Sequence, residues 1–351
     1  MKKRALIFGI TGQDGSYLAD LLIKKKYKVI GVKRRSSSFN TKRIDHLLFT
    51  NDILKLKNNF EIVYGDLTDS SNILRIIKNA NPHEIYNLGA QSHVRTSFDI
   101  PEFTANVDAI GSLRILESIR VLNLQNKTKY YQASTSEIFG NTKIPQNEKT
   151  PFRPRSPYAI AKLYSYWTTI NFREAYNIFA VNGILFNHES PRRGENFVSR
   201  KITKAICEIH KGKRNFFTLG NLNSKRDWGH AKDYVESMWK MMQAKRPSDY
   251  VIATGKSYSV KNFVEEAFKY IGIEIRWKGK GIKEFGYDKI TKKILVKIDP
   301  KYFRPTEINE LRGDYSKAKK ELKWKPKINF KNLVREMMIN DMEEDSSKEN
   351  N

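Results

Sequence analysis

The stretch GITGQDGSYL, Gly9 to Leu18, decides the expected fold. Gly9, Gly12 and Gly15 recur at every third residue, directly between an apolar run and a segment of helical periodicity. Glycine permits a tight turn and a close approach of the backbone to a pyrophosphate, which the N–H groups at a helix N-terminus bind. A glycine triplet alone is equally compatible with a structural turn. Its position between a strand and a helix favours a dinucleotide-binding loop, formed by Gly9, Thr11, Gly12, Gln13, Asp14 and Gly15.

The same alternation continues through the first half of the chain. The apolar runs YKVIGV, FEIVYGD, HEIYNLGA and KYYQAS alternate with helical segments such as SSNILRIIKNA and FTANVDAIGSLRILESIRVL. This pattern predicts an α/β fold with a doubly wound parallel sheet, which binds ligands at the carboxyl ends of its strands. The rhythm changes from about Asn187, and DYVIATG at Asp249 to Gly255 indicates one more strand of the first sheet. We therefore expect a dinucleotide-binding domain over residues 1–186 and 230–256, a smaller substrate domain over 187–229 and 257–340, and a flexible tail over 341–351.

The composition indicates a large globular protein. Of the 351 residues 39% are hydrophobic, and the single cysteine, Cys207, excludes an intrachain disulfide. No run approaches the ~18 apolar residues of a membrane span, and the N-terminus lacks a secretion-signal pattern, so we expect a cytoplasmic protein with no membrane partner. The net charge of +26 suits an anionic small molecule. It is also compatible with nucleic acid, but the lysines are spread along the chain and we expect no such partner.

A basic segment follows the second apolar run. Many dinucleotide-binding folds carry Asp or Glu at this point, which binds the ribose 2′-hydroxyl of NAD, whereas Arg accommodates the 2′-phosphate of NADP. Here the sequence is KRRSSSFNTKR, Lys33 to Arg43. An ordinary solvated loop is the alternative. In combination with the glycine loop, the segment favours NADP, bound by Arg34, Arg35, Ser36 and Ser37.

Two further strand ends carry candidate cofactor contacts. Asp66 and Leu67 follow the third apolar run, where the carboxylate can accept a hydrogen bond from an adenine amino group. An Asp after a strand is more often a helix cap, which is the alternative interpretation. NLGAQSH follows the fourth run and offers small residues against which a dinucleotide can lie.

The segments QASTSEIFG and YAIAK carry the candidate chemistry. Tyr158 and Lys162 are four residues apart in a helical segment, so both project from one face. A Lys ammonium beside a phenol lowers the phenol pKa, which makes Tyr158 a usable base for a sugar or alcohol hydroxyl. A YxxxK pair alone is common on helix surfaces, but its place one loop after Thr135 and Glu137 favours catalysis. The histidines are not spaced for a metal site, and none is expected.

Taken in order, the motifs resemble one family. They are GITGQDGSYL, KRRSSSFNT, YGDLTD, NLGAQSHV, ASTSE, PRSPYAIAKLY, NGILFNHESPRRG, RDWGHAKDY and YFRPTE, and they span nearly the whole chain. The sequence is similar to the extended short-chain dehydrogenase/reductases and, within them, to the GDP-mannose 4,6-dehydratases. The resemblance implies a Rossmann domain with a smaller nucleotide-sugar domain, NADP as cofactor, a GDP-sugar as substrate, and a homo-oligomer that is either a dimer or a tetramer.

The reaction that this resemblance implies is redox-neutral. Tyr158, assisted by Lys162, takes the proton of the sugar 4-hydroxyl while hydride leaves C4 for NADP⁺. Glu137 then removes the acidified C5 proton and, with Thr135, assists loss of the C6 hydroxyl as water, before hydride returns to C6. An epimerase or reductase of the same fold typically lacks this carboxylate, and a non-catalytic dinucleotide sensor has no need of Tyr158 and Lys162. Both remain alternatives to the dehydratase.

The resemblance also assigns binding residues. Implied cofactor contacts are Leu88, Gly89, Ala90, Gln91, Ser92, Phe103, Tyr158, Lys162, His188 and Arg193. Implied contacts with the GDP-sugar are Ser92, Asn187, Val198, Lys201, Gly220, Arg226, Arg304 and Glu307. Arg226 and Arg304 suit a diphosphate as bidentate donors. For His188, a packed histidine at a strand end is the alternative.

The sequence departs from the family pattern near the catalytic loop. Phe139 and Arg153 stand where Tyr is usual, and the loop GNTKIPQ is one residue shorter. These differences leave the sugar open between GDP-mannose and GDP-D-glycero-D-manno-heptose, whose additional carbon beyond C6 needs room there. In related dehydratases the RRSSSFNT loop reaches a neighbouring subunit, which implies a role for residues 37–43 in a tetramer.

Overall fold

A parallel sheet forms the centre of the larger domain. In the computed structural model the described residues are 2–48 and 59–349, without the side chains of residues 345–349. Seven strands of these residues form the sheet: β1 Arg4–Phe8, β2 Lys28–Lys33, β3 Phe60–Tyr64, β4 Glu84–Asn87, β5 Lys129–Thr135, β6 Ala180–Leu185 and β11 Tyr250–Ile252. Their order is β11-β6-β5-β4-β1-β2-β3, and every neighbouring pair is parallel. The predicted doubly wound α/β fold is therefore confirmed.

Helices cover both faces of this sheet. One face packs against α1 Gln13–Lys24 and the helix Ala231–Met242, and the other against the helices Ser70–Ala80, Gly111–Val121 and Pro157–Tyr176. Successive residues of β1 alternate between the two layers, because Ala5 and Ile7 join one apolar cluster while Leu6 and Phe8 join the other. A continuous apolar run is the pattern expected of a strand that is buried on both faces.

The helices of the described residues follow in chain order. After α1 they are α2 Asp45–Leu48, α3 Ser70–Ala80, α4 Thr96–Asp99, α5 Pro101–Ala105, α6 Gly111–Val121, α7 Pro157–Tyr176, α8 Val198–His210, α9 Ala231–Met242, α10 Val260–Tyr270, α11 Ser316–Leu322 and α12 Phe330–Glu349. A π-turn, Asn106–Ile110, joins α5 to α6, and 3₁₀ turns are Ser136–Phe139, Gly281–Lys283 and Pro300–Tyr302. None of the helices in the described residues is long and apolar enough to cross a membrane.

The smaller domain has its own core and sheet. The strands are β13 Ile275–Lys278, β14 Phe285–Asp288, β15 Ile294–Ile298 and β8 Phe217–Leu219, and helices α8, α10 and α12 pack against the same apolar cluster. Trp228 and Phe330 stack within this cluster at 5.9 Å between ring centroids. Two short strand pairs lie where the chain passes between the domains. They are β7 His188–Glu189 with β10 Gly229–His230, and β9 Lys225–Arg226 with β12 Tyr258–Ser259.

Two predicted boundaries need correction. Residues 316–324 were assigned to the smaller domain, but Ala318, Leu322 and Trp324 are buried in the core of the larger one, because α11 packs against β11 and α9. The predicted tail is also helical up to Glu349. Asp341 accepts from the Thr203 hydroxyl at 2.6 Å and pairs with Arg200 at 2.6 Å, so residues 341–344 are held against α8. Residues 350–351 lie outside the described residues.

Candidate active site

A cavity of about 1000 Å³ opens at the carboxyl ends of the parallel strands, between the two domains. Its walls include residues that follow β1, β2, β3, β4, β5 and β6, and the smaller domain closes the opposite side. The cavity contains every site residue suggested by the sequence except Arg35, Ser36 and Ser37. The set comprises Gly9, Thr11, Gly12, Gln13, Asp14, Gly15, Arg34, Asp66, Leu67, Leu88, Gly89, Ala90, Gln91, Ser92, Phe103, Thr135, Glu137, Tyr158, Lys162, Asn187, His188, Arg193, Val198, Lys201, Gly220, Arg226, Arg304 and Glu307.

The glycine loop is packed too tightly for side chains. Gly9 has a φ of +83°, and a Cβ there would lie 2.8 Å from the backbone of Gly89. A Cβ on Gly15 would lie 2.3 Å from the carbonyl oxygen of Gly9. Gly12 is the N-cap residue of α1, and no side chain there accepts a hydrogen bond from the first N–H groups of the helix. Because these residues line the cavity, the N–H groups are available to a ligand. This is the arrangement that binds a pyrophosphate at a helix N-terminus.

Asp14 and His188 form an ion pair beside this loop. The imidazole Nε2 lies 2.8 Å from Asp14 Oδ2, and Nδ1 lies 2.8 Å from the carbonyl oxygen of Phe186. Burial by itself lowers the pKa of His188, but the charge of Asp14 and these two acceptors raise the pKa above its ordinary value. Burial likewise opposes ionisation of Asp14, yet His188 and Arg193 lower the pKa of that carboxyl. Asp14 is therefore ionised near neutral pH, and the pair favours the charged form of His188.

No acidic residue stands at the carboxyl end of β2. Arg34 lines the cavity, whereas the exposed Arg35 lies over the ring of Tyr64, 5.5 Å from its centroid, and donates to the Tyr64 hydroxyl at 3.4 Å. Lys33 approaches the same ring at 5.4 Å. Ser36 and Ser38 are exposed and share a contact of 3.2 Å between their hydroxyl oxygens. The cavity therefore has a cationic rim at this strand end, with Arg34 as its inner member.

Asp66 has two functions in the turn after β3. Its Oδ1 accepts from the backbone N–H of Thr68 at 2.9 Å and from the Thr68 hydroxyl at 2.8 Å. This is the capping role that was considered as the alternative. Asp66 also lines the cavity with Leu67, and its other carboxylate oxygen has no such local partner among the hydrogen bonds of this turn. The geometry therefore accommodates both the cap and a contact with a bound base.

Tyr158 and Lys162 lie on the first turns of α7. Ser156 caps this helix by accepting from the N–H of Ala159 at 3.1 Å, and Pro157 occupies its first turn. Lys162 Nζ lies 5.9 Å from the ring centroid of Tyr158 and donates to the carbonyl oxygen of Ala133 at 3.1 Å. The two side chains therefore face β5 from one side of the helix.

The expected effect of Lys162 on Tyr158 needs correction. The sequence suggested that the ammonium lowers the phenol pKa, but in the structure burial raises the pKa of Tyr158 well above its ordinary value. The charge of Asp108 raises it further, while a hydrogen bond with Thr135 opposes the shift. Burial also lowers the pKa of Lys162. An ionised Tyr158 therefore requires additional positive charge in the cavity.

Thr135 and Glu137 lie in the turn after β5. Glu137 is buried, and its backbone N–H donates to the Thr135 hydroxyl at 3.3 Å. Arg304 Nη1 lies 3.4 Å and 3.5 Å from the two carboxylate oxygens of Glu137, which makes an ion pair across the domain boundary. A carboxylate, a hydroxyl and a phenol thus share one buried pocket, which is what proton transfer at several positions of one substrate requires.

The smaller domain contributes cations opposite Glu137. Arg226 is buried and donates to the carbonyl oxygen of Ile308 at 2.9 Å, with Glu307 at 3.5 Å from its Nη2. Lys201 Nζ lies 3.4 Å from the ring centroid of Tyr302. With Arg304 these groups line the same end of the cavity. The arrangement suits a diphosphate, although Arg226 and Arg304 already have carboxylate partners within the protein.

Phe139 and Arg153 do not line the cavity. Phe139 is fully buried in an apolar cluster, with its ring centroid 5.5 Å from Phe152 and 6.1 Å from Phe186. Arg153 is exposed, and its backbone N–H donates to the carbonyl oxygen of Ile138 at 2.9 Å. Both residues therefore lie next to the catalytic loop on the side away from the cavity. The choice between GDP-mannose and the heptose stays a prediction.

Many residues that line the cavity were not predicted from the sequence, and His93, Asn221 and Tyr302 are among them. His93 and Tyr302 line the cavity, and Asn221 follows Gly220 there. The motif NLGAQSH contains His93, so its position after a strand was the available signal. Tyr302 begins the motif YFRPTE, which was the signal available for it, whereas nothing in the pattern around Asn221 distinguishes that residue from a surface residue.

The fold and the site define a class of protein. A doubly wound dinucleotide-binding sheet, a Tyr158–Lys162 pair at the carboxyl end of its strands and a second domain over the cavity characterise an extended short-chain dehydrogenase/reductase. The additional Glu137 beside Thr135 distinguishes this member from a plain oxidoreductase.

Comparison with known proteins identifies the family. Residues 6–337 match the family described as GDP-mannose 4,6 dehydratase. The GDP-mannose 4,6 dehydratase of Drosophila melanogaster is 58% identical over 342 residues, covering 97% of this chain and 86% of the relative. The chain therefore belongs to the GDP-mannose 4,6-dehydratase family, and the resemblance found in the sequence is confirmed.

Solved structures share the fold at low sequence identity. The dTDP-glucose 4,6-dehydratase of Bacillus anthracis in complex with NAD has a TM-score of 0.78 at 19% identity, covering 98% of each chain. RMD from Pseudomonas aeruginosa complexed with NADPH has a TM-score of 0.75 at 16% identity, covering 98% of this chain and 100% of the other. At these identities the likeness concerns the fold alone. One fold thus accommodates either dinucleotide, so the choice between NAD and NADP depends on side chains.

Proposed function

We propose that the protein is an NADP-dependent dehydratase that converts GDP-mannose to GDP-4-keto-6-deoxymannose with loss of water. The observation that carries this proposal is the position of Glu137. It is a buried carboxylate in the same pocket as Thr135, Tyr158 and Lys162. Oxidation at C4 requires only the tyrosine and lysine, whereas removal of the C5 proton and departure of the C6 hydroxyl require a further acid/base group.

The residues present fit a dinucleotide. Because Gly9 and Gly15 have no side chains, the backbone packs closely around them and the N-terminus of α1 stays uncovered. Its N–H groups can donate to a pyrophosphate. The Asp14 carboxylate beside that site is paired with His188 and is also stabilised by the charge of Arg193, which offsets its repulsion of an anion. Leu88 to Ser92, in the loop after β4, and Phe103 line the cavity. These residues would hold the cofactor between β1 and β4.

The preference for NADP is proposed from the end of β2. A 2′-phosphate carries up to two negative charges, and a guanidinium is the side chain best shaped to bind it. Arg34 lines the cavity at this point and no carboxylate stands beside it in the described part of the β2 loop. Arg35 and Ser36 are exposed at the rim, so we assign them a supporting role.

The chain's own residues perform the proton transfers. Bound NADP⁺ would supply positive charge beside Tyr158 and a site that can take up a hydride and release it again. Tyr158 takes the proton of the 4-hydroxyl, with Thr135 hydrogen-bonded to its phenol oxygen. Glu137 takes the C5 proton, which the adjacent 4-ketone has acidified, and donates a proton to the departing C6 hydroxyl, which leaves as water. When a hydride is added at C6, C5 takes up a proton, and Tyr158 can supply the one that it removed from the 4-hydroxyl. Lys162 stays fixed by Ala133 and holds a positive charge near Tyr158.

The GDP portion is assigned to the smaller-domain side of the cavity. Arg226, Arg304 and Lys201 bring three cations to that end, and Glu307 offers acceptor oxygens for a base or ribose. Asn187, Val198 and Gly220 line the wall between them, and Ser92 faces both ligands. The side chain of Arg304 is 26% exposed, so it can turn from Glu137 toward a diphosphate without breaking a buried core.

GDP-mannose is the preferred sugar. The case for GDP-D-glycero-D-manno-heptose depended on Phe139, Arg153 and the shorter loop GNTKIPQ, residues 140–146, and none of these lines the cavity. The family membership points to mannose as well.

We also propose a homo-oligomer in the cytoplasm. Ile160, Tyr164 and Trp167 recur at intervals of four and three residues on α7 and are exposed by 59%, 43% and 54%. Such a helical face suits a second copy of the chain better than water. The choice between dimer and tetramer depends on whether the exposed loop of residues 36–40, with Phe39 at its tip, joins another subunit. The single, buried Cys207 suits a reducing compartment.

A product analysis tests the proposal. The enzyme with NADP⁺ is incubated with GDP-mannose and, separately, with the GDP-manno-heptose, and the products are identified by mass and NMR. We expect GDP-mannose to lose one water and to gain a methyl group at C5, with no net reduction of cofactor. An unchanged mass with an inverted centre would establish an epimerase instead. Faster water loss from the heptose would replace mannose as the preferred sugar.

A further inference from the structure

A buried carboxylate that the mechanism does not use lies behind the catalytic pair. Asp108 belongs to the π-turn Asn106–Ile110, and only 2% of its surface is exposed. Its Oδ1 accepts from the backbone N–H of Gln91 at 2.7 Å, whereas its Oδ2 is buried and has no hydrogen-bond partner among the described residues. A π-turn within a helical segment often marks a functional site, and a buried oxygen without a partner is costly. The residue therefore requires an explanation.

Asp108 connects the cofactor loop to α7. Gln91, which holds one carboxylate oxygen, lies in the loop that lines the cavity after β4. The π-turn packs against α7, and the carboxylate charge acts on both Lys162 and Tyr158 there. Burial lowers the pKa of Lys162, since an ammonium is destabilised away from water. Asp108 opposes this effect and raises the pKa of Lys162.

The neighbouring elements supply no substitute for Asp108. On α6, Arg114 is turned toward the carbonyl oxygens of Leu67 and Asn106, at 2.8 Å and 3.1 Å. On α5, Glu102 is exposed. Glu137 and Arg193 act on Tyr158 with opposite signs, from the turn after β5 and from the loop after β7. Lys162 itself donates only to the neutral carbonyl of Ala133 among its described contacts.

We propose that Asp108 is a positioning residue of the active site, which keeps the buried Lys162 charged beside Tyr158. This inference rests on the proposed dehydratase function, because it assigns Lys162 to the proton transfer at C4. It assigns no contact with substrate to Asp108 itself. Burial raises the pKa of Asp108 to about 7, while the charge of Lys162 and the hydrogen bond from the Gln91 N–H lower it. The protonation of Asp108 and that of Lys162 are therefore coupled.

The first test is the pH profile of Asp108→Asn. The amide can still accept from Gln91 but carries no charge, so Lys162 should lose its proton at lower pH than in the wild type. We expect the alkaline limb of kcat/KM for GDP-mannose to move down by about half a pH unit, which lowers the ratio of rates at about pH 9 and about pH 7 roughly threefold. Glu102→Gln, which removes the same charge from the exposed helix nearby, should leave the profile unchanged. Asp108→Glu should restore the alkaline limb.

A purely structural role would lower the rate of Asp108→Asn equally at all pH values. Limbs that superimpose on those of the wild type after scaling would therefore overturn the proposal, whatever the remaining rate.

The second test needs neither substrate nor a folded Asp108 variant. The protein labelled with ¹³C at the aspartate carboxyl carbons is titrated by NMR as wild type and as Lys162→Met. Loss of the positive charge should move the titration of one buried aspartate, assigned to Asp108, to higher pH. Identical titrations would overturn the proposal even if Asp108→Asn failed to fold. If GDP-mannose were not turned over at all, the proposed function would be wrong. The titration would still show whether the charges of Asp108 and Lys162 are coupled.

Discussion

Replacement of Glu137 by Gln is the sharpest test of the chemistry. The amide has the size of the carboxylate, so the pocket keeps its shape, and the Glu137 backbone bond to Thr135 is unaffected. The substitution removes a group that can take the C5 proton and return a proton to the leaving hydroxyl. Tyr158 and Lys162, which serve the oxidation at C4, are left intact on α7.

The magnitude follows from the two roles. General acid/base catalysis by one side chain contributes about 10²- to 10⁴-fold, and the rate of water loss should fall by that factor. The effect on stability should be small. Arg304 is the ion-pair partner of Glu137 at 3.4 Å, but its side chain is partly exposed to water, so we expect a loss of about 1 kcal/mol or less. Arg226 keeps Glu307 as a partner.

The assay separates the two halves of the reaction. Enzyme in excess over GDP-mannose is mixed with NADP⁺, and the reduced nicotinamide is followed by absorbance. In the wild type it should not accumulate, whereas the Glu137→Gln variant should build up reduced cofactor together with a 4-keto sugar that retains its C6 hydroxyl. Exchange of the C5 hydrogen with deuterated water should cease in the variant. Formation of the 6-deoxy product within tenfold of the wild-type rate would refute the assignment of Glu137.

Three further predictions follow from the geometry. Arg34→Ala should weaken NADP binding by about 2 kcal/mol, or roughly thirtyfold, and leave NAD binding within about twofold, whereas Arg35→Ala at the rim should change both far less; calorimetric titration with each dinucleotide measures this. Gly15→Ala should abolish binding of both dinucleotides or unfold the protein, because its Cβ would lie 2.3 Å from the carbonyl oxygen of Gly9, and an alanine variant with wild-type affinity would contradict the packing. Asp14→Asn should cost about 2 kcal/mol of stability by breaking the pair with His188. The raised pKa of His188 contributes stability that is complete below its ordinary value of 6.5 and is lost as the pH rises through the folded value, while the lowered pKa of Asp14 contributes above 3.8 and is lost as the pH falls. Chemical denaturation should thus show the largest difference between wild type and variant from about pH 4 to 6.5.

The cofactor half of the site could be predicted from the sequence because its signals are local. The spacing of Gly9, Gly12 and Gly15, the apolar runs and the basic end of β2 each concern residues near one another in the chain. Parallel strands then place their carboxyl ends at one edge, which brings the loops together without further information. For this reason the sequence motifs predict most of the residues on the cofactor side of the cavity.

Long-range packing could not be predicted in the same way. The segment containing Ala318 and Trp324 has a helical pattern, but nothing in it indicates return to the first domain, where Trp324 donates to the carbonyl oxygen of Asp233 at 2.9 Å. Asp108 likewise resembles any acidic residue in a helical segment, and the π-turn that buries it has no sequence signal. The burial that raises the pKa of Tyr158 is also a property of the assembled site.

The second domain determines the charge around Glu137. Residues up to Leu185 supply the phenol, the lysine and the carboxylate, but the cations that face Glu137 come from β9 and from the segment after the turn Pro300–Tyr302. The same cations are suited to a diphosphate, so substrate binding and the environment of the base are coupled through Arg304. A substitution at the domain boundary should therefore change the rate of water loss at C6 more than the rate of hydride transfer at C4.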